Sequence, residues 1–162
     1  MTSTASYLTI NNLTFTGQGK EAAGLAFTPT LNVLYGASNT GKTFTVKSFD
    51  FMLGGKGPLP DTKERVGYDK IWMALRLPKT GDATIMRALA GGQFALCPGH
   101  VIDADLKSNT VRRLSARNDA SNLDNLSQFL LSELDLVGRD CCGRQRQEAS
   151  AQLSGLDTLL FG

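Results

Sequence analysis

At 162 residues the chain is long enough for one ordinary domain with its own core, and 41% hydrophobic against 20% charged residues is the balance of a globular protein. The net charge of +2 is too small to argue for nucleic acid by itself. No apolar run reaches the roughly 20 residues of a membrane span, and the opening MTSTASYLTI lacks the basic and apolar regions of a signal peptide, so the expectation is a cytoplasmic protein with no membrane partner.

Tyr7 to Phe15 (YLTINNLTF) is mostly apolar or β-branched and reads as a strand, followed by a turn over Thr16 to Lys20. Gly24 to Thr28 (GLAFT) reads as a second short strand, stopped by Pro29. Leu31 to Tyr35 (LNVLY) is a short apolar run bounded by Pro and Gly, which predicts a buried strand. A helix is expected over Lys42 to Leu53, ended by Gly54 and Gly55, with loop over Lys56 to Asp61. Lys70 to Leu77 and Ala83 to Ala90 read as strands joined by a turn at Lys79 to Asp82, and Gln93 to Leu96 as a third. The stretch from Pro98 to Asn109 gives no clear period. Asn122 to Leu136 carries apolar residues at 123, 126, 129, 130, 134 and 136, the stripe of an amphipathic helix with Ser121 as N-cap. The cysteines Cys97, Cys141 and Cys142 are odd in number with no C-x-x-C spacing, which argues against a disulfide framework and a zinc site.

Gly36-Ala37-Ser38-Asn39-Thr40-Gly41-Lys42-Thr43 fits G-x-x-x-x-G-K-[ST]. The chemistry requires these types. Glycines permit backbone angles that turn successive N–H groups inward onto phosphate oxygens. The positive end of the following helix dipole favours the anion. Lys42 reaches the β- and γ-phosphates in such a loop, and the Thr43 hydroxyl holds Mg²⁺. With ordinary residue usage a chain of this length matches by accident about one time in a hundred, and the expected strand before and helix after make this context the right one. No Asn-Lys-x-Asp for guanine recognition is present. The strands from Lys70 to Leu96 predict an antiparallel meander beside the nucleotide site.

Taken together, "LNVLYGASNTGKTFTVKSFDFMLGG", "GYDKIWMALRL", "ATIMRALAGGQFAL" and "LSARNDASNLDNLSQFLLSEL" resemble the N-terminal part of SbcC-type, SMC-like AAA-family ATPases, over roughly Tyr7 to Leu136. The resemblance implies an α/β P-loop NTPase fold, specifically an ABC/SMC-like N-terminal lobe with an antiparallel β-meander and flanking helices. It implies ATP and Mg²⁺ as ligands, with Gly36, Ser38, Asn39, Thr40, Gly41, Lys42 and Thr43 as nucleotide contacts and Thr43 on the metal. It further implies a C-terminal half of the ATPase head as partner, a head-to-head homodimer of the full-length protein, and DNA as a substrate in repair, maintenance or genome defence. Asn39 stands where the commonest repair-ATPase loops have Gly; Asn tolerates positive φ well enough for the loop to survive.

Other residues carry weaker signals. Arg87, in "TIMRAL", is balanced between a solvated strand arginine and a functional one near the nucleotide. Lys63, Glu64 and Arg65, and the cluster Arg112, Arg113 and Arg117, read mainly as solvated surface. His100 has no second ligand at metal spacing, and Trp72 reads as a core or sheet-face residue.

Hydrolysis in this family needs more than the cradle: an Asp-Glu pair ending a later apolar strand and a signature loop supplied across a dimer. No run of four apolar residues followed by Asp-Glu occurs; "LSGLD" at Leu153 to Asp157 is a loose echo. After Leu136 the chain runs "VGRDCCGRQRQEASAQLSGLDTLLFG" where the family continues with an apolar strand, a turn and Leu-Ser-Phe-Arg-Asp-Leu. With permitted codons, Gln152 to Gly162 read one base later begins Ser-Phe-Arg-Asp-Leu. The expected organisation is therefore a lobe over 1–137 and an atypical tail over 138–162, disordered or out of frame, in a truncated or frame-shifted chain. Two rival readings stand beside nucleotide binding: a small P-loop kinase, with Asp61 and Arg65 cast as acceptor and lid residues, and a non-functional remnant.

Overall fold

A computed structural model describes residues 7–38, 41–102 and 110–138. Among these residues the frame is mixed α/β: six strands in one antiparallel sheet, with two α-helices. The strands are β1 (Thr9–Gly17), β2 (Lys20–Ala26), β3 (Lys70–Leu77), β4 (Gly81–Ala88), β5 (Gly91–Pro98) and β6 (Arg112–Leu114), in the spatial order β2-β1-β3-β4-β5-β6. The helices are α1 (Lys42–Met52) and α2 (Leu126–Glu133).

Tight connections make β3, β4 and β5 a meander, as the turn residues predicted. The turn from β3 to β4 is held from outside. Glu133 of α2, largely buried, accepts from the backbone N–H groups of Lys79 and Thr80 and from the Thr80 hydroxyl, while Lys79 pairs with Asp135 at 2.6 Å.

The alternation of side chains along each strand sorts the core. Leu13 on β1, Ile71, Met73, Leu75 and Leu77 on β3, Ile85 on β4 and Phe94 on β5 share one face with Phe51 and Met52 of α1 and Leu126 and Phe129 of α2. Both helices therefore cover the same face. On the opposite face Trp72, Met86 and Ala95 form a smaller cluster with Val111 against it. Trp72 is buried there and its indole N–H donates to Thr16 Oγ1 at 2.8 Å, the core role expected of it.

Two expectations are corrected. Leu31 to Tyr35 is not a buried strand: it pairs with no strand among the described residues, and Leu31, Val33 and Tyr35 are 84%, 71% and 89% exposed. Asn32 explains part of this. Its side chain accepts from Thr28 N and donates to the Thr28 and Thr30 carbonyls, which ties the segment into a local clasp instead of a ladder.

Second, α2 starts at Leu126, later than the apolar stripe predicted, and its cap is Asn125, not Ser121. Asn125 Oδ1 accepts from Gln128 N at 2.9 Å, and its amide donates to the carbonyls of Asp119 and Asn122. Ser121 is engaged instead with Asp119, and Asn122 with Asp124, in two successive side-chain turns.

Arg112, Arg113 and Arg117 are exposed, as expected of a solvated cluster; Arg112 and Arg113 lie on β6, a strand the sequence did not signal, and Arg112 pairs with Asp124 at 2.6 Å. No helix among the described residues is long and apolar enough to cross a membrane. Cys97 is buried; Cys141, Cys142 and the tail assigned to 138–162 lie outside the described residues, apart from Gly138.

Candidate functional site

The Gly36–Thr43 motif follows the exposed 31–35 segment, and its last two residues, Lys42 and Thr43, begin α1. Gly41 sits at the N-cap of α1 with φ 86° and ψ 0°, a left-handed conformation that a side chain disfavours. A Cβ placed there would meet nothing within 4 Å, so the requirement for glycine is conformational and not steric. α1 opens with Thr45 N donating to Gly41 O at 2.9 Å, no side chain caps its first turn, and that turn contains no acidic residue. The positive dipole end of α1 is thus offset by no acidic side chain in its first turn and would favour an external anion.

Lys42 folds back over the loop. Its Nζ donates to Gly36 O at 2.8 Å and to Ala37 O at 2.5 Å. Those contacts hold the ammonium against the backbone at the start of the motif.

Ser38, Gly41, Lys42 and Thr43 line one side of an open cavity of about 1100 Å³. The other walls come from Lys47 one turn further along α1, from Phe15 and Ala23 on β1 and β2, and from Pro60, Thr62, Glu64, Arg65 and Tyr68 in the connection to β3. Lys42, Lys47 and Arg65 face a single carboxylate, Glu64, so the cavity is biased toward anions. Its aromatic wall is built by Phe15 with Phe44, centroids 5.5 Å apart, and by Phe15 with Tyr68 in an edge-on contact at 6.5 Å.

Among the seven expected nucleotide contacts, Ser38, Gly41, Lys42 and Thr43 come together around this cavity and Gly36 meets the Lys42 ammonium. Asn39 and Thr40 lie outside the described residues. Thr43, the expected Mg²⁺ ligand, is exposed at the cavity wall. Lys47, Tyr68 and Phe15 were not singled out by the sequence. The spacing of Lys47 from Thr43, one helical turn, was a readable signal; the two aromatics come from separate strands and loops and only the tertiary fold unites them.

The remaining sequence candidates divide: Glu64 and Arg65 line the cavity, and His100 and Arg87 do not. Arg65 lines the cavity, but its guanidinium donates to Leu59 O and Leu89 O at 3.1 and 3.3 Å, so it also staples the connection between α1 and β3. Asp61 is exposed and is not among the cavity residues. His100 does not line the cavity and lies near Asn11, the Leu75 carbonyl and Asp82. Arg87, which the sequence left between solvent and function, is buried against α1. No family model matches this chain, and no curated protein matches it.

Proposed function

We propose that the chain binds ATP·Mg²⁺ through Gly36 to Thr43, as the N-terminal part of a larger SMC-like ATPase head. The observation that carries this reading is the Lys42 ammonium folded onto the Gly36 and Ala37 carbonyls at the N-terminus of α1, which no side chain caps, beside an open cavity of about 1100 Å³. A triphosphate arriving there exchanges two neutral carbonyl acceptors on the lysine for charged phosphate oxygens, which make stronger hydrogen bonds. The first-turn amides and the helix dipole add to the same site. Thr43 is the residue that would hold Mg²⁺, whose charge would offset that of the phosphates when bound. The fold supports the reading to the extent that two strands precede the motif and an antiparallel meander follows its helix.

The site holds a cradle and no assigned catalyst. The sequence has no Asp-Glu pair at the end of an apolar strand to activate water. Supply of that pair by a C-terminal half, a head-to-head dimer and action on DNA are proposals that rest on resemblance alone. The exposed apolar side chains of Leu31, Val33 and Tyr35 fit the first of these, because a strand added beside them would remove them from water. The kinase alternative is weakened by the two backbone contacts of Arg65, which tie up its guanidinium.

The test is a calorimetric titration of wild type and Lys42→Ala with ATP and Mg²⁺. A charge-assisted contact contributes about 1.5–3 kcal/mol, so the substitution should weaken binding about tenfold to a hundredfold. Equal binding by the two proteins sinks the assignment and leaves the remnant reading.

A further inference from the structure

α1 is anchored to the sheet unevenly. Its buried residues are Ser48, Phe51 and Met52, all in the C-terminal half, whereas the phosphate-side residues Gly41 and Thr43 are exposed. Near the phosphate end the described ring contact is Phe44 against Phe15. The other end is held by Arg87 of β4. Its Nη1 donates to Phe51 O at 2.8 Å, one of the last carbonyls of α1, and its Nε donates to Gly92 O at 3.3 Å. The guanidinium lies over the rings of Phe51 and Phe94, at 4.0 and 4.6 Å from their centroids.

This is an unusual use of a cation. Arg87 is only 8% exposed, and no ion pair links it to a carboxylate among the described residues. Burial pushes its pKa down from the ordinary value. A leucine or methionine at this register position, between Ile71 and Phe94, would pack with less desolvation. What the guanidinium adds is direction: two donors and a flat face that fix α1 in one orientation, with positive charge at the negative end of its dipole.

We propose that Arg87 is a positioning residue that sets the pose of the phosphate-binding end of α1 from the opposite end of the helix; this rests on the nucleotide-binding reading above. α1 has 11 residues, a rod about 16 Å long. A tilt of about 5° at the pinned end moves the first turn by roughly 1.4 Å over that length. The range of good hydrogen-bond lengths is narrower than this, about 0.5 Å, so a loose pin misaligns the first-turn amides and Lys42 together.

The 162-residue chain is titrated with Mg²⁺ and either ATP or inorganic triphosphate, well below the thermal midpoint of each variant. Arg87→Met keeps the stem and removes the donors; it should weaken both ligands equally, by about fivefold or more, the lower end of ordinary site-to-site coupling. Arg87→Lys, which restores charge without the fork, should recover part of the loss. Arg87→Met that melts earlier yet binds both ligands as wild type does overturns the proposal, because that is the mark of a purely structural residue.

Hydrogen exchange on the wild type provides the reciprocal reading and does not depend on the variants folding. Coupling is mutual, so saturating ATP·Mg²⁺ should slow exchange at the amides of Leu53, Gly54 and Gly55, which close the pinned end of α1. Protection limited to residues 41–45 contradicts the pin. Lys42→Ala separates the two claims. If it binds ATP as wild type does, the phosphate-loop reading fails and takes the pin with it. If it loses binding while Arg87→Met retains it, only the pin fails.

Discussion

Leu31→Ala distinguishes the exposed segment seen here from the buried strand its composition predicts. A buried leucine cut to alanine costs about 2–5 kcal/mol. In a protein of this size each kcal/mol moves the thermal midpoint by about 2–4 °C, so a buried Leu31 would lower it by roughly 4–20 °C. Leu31 is instead 84% exposed, and surface substitutions of this kind stay within about 0.5 kcal/mol. The expected shift is therefore under about 2 °C. Leu13→Ala is the internal standard: Leu13 is 1% exposed in the main core and should show the full loss. Thermal unfolding followed by circular dichroism at matched concentration gives both values. A Leu31→Ala shift as large as that of Leu13→Ala would refute the exposed placement. If a C-terminal half does cover the segment, the same Leu31→Ala substitution should weaken its association by up to about 1.5–3 kcal/mol, readable in a pull-down titration of the two halves.

Asn125→Ala removes the α2 cap and two further hydrogen bonds at once; about 1 kcal/mol for the cap and about 1 for each bond predict a loss near 3 kcal/mol in urea denaturation, and a loss under about 1 kcal/mol contradicts the assigned cap. Steady phosphate release from ATP by the chain alone should not exceed background; release that vanishes in Lys42→Ala would favour a self-sufficient enzyme. Burial raises the Cys97 thiol pKa, with Arg113 opposing in part. The thiolate is then disfavoured in the folded state, so stability is lost as pH rises from the ordinary thiol pKa toward the raised one. Cys97→Ala should flatten that part of the pH–stability curve, and native Cys97 should alkylate slowly in a mass-mapped labelling experiment.

The β3–β5 meander was legible because its signals are local, whereas β6 was not signalled and β2 begins earlier than the Gly24 start expected. β3 and β4 announce themselves by β-branched and apolar runs bounded by Gly and Pro, and the meander follows from short turns. α1 was legible for the same reason, with Gly-Lys-Thr at its start and paired glycines at its end. Leu31 to Tyr35 failed because an apolar run states only that burial would be favourable, not that a neighbouring strand is there to provide it. The start of α2 failed because Ser121 and Asn125 are both good caps, and the choice was made by the Asp119 and Asn122 carbonyls that the Asn125 amide can reach. At the site, the loop glycines, Lys42 and Thr43 were readable as a motif. The aromatic wall of Phe15 and Tyr68 was not, since their sequence positions carry no shared period. Arg87 was ambiguous for a physical reason: a lone arginine on a strand faces water or a helix end according to register, and only the placement of Phe51 decides it.

Where the phosphates of ATP land tests the central claim most directly. Amide ¹H–¹⁵N spectra of the labelled chain, titrated with ATP and Mg²⁺ and separately with inorganic triphosphate, report it residue by residue. Predicted are saturable shifts largest at Gly36, Gly41, Lys42 and Thr43, reproduced by triphosphate and lost in Lys42→Ala. Saturable shifts centred elsewhere, or none at these amides at millimolar nucleotide, contradict nucleotide binding by this loop.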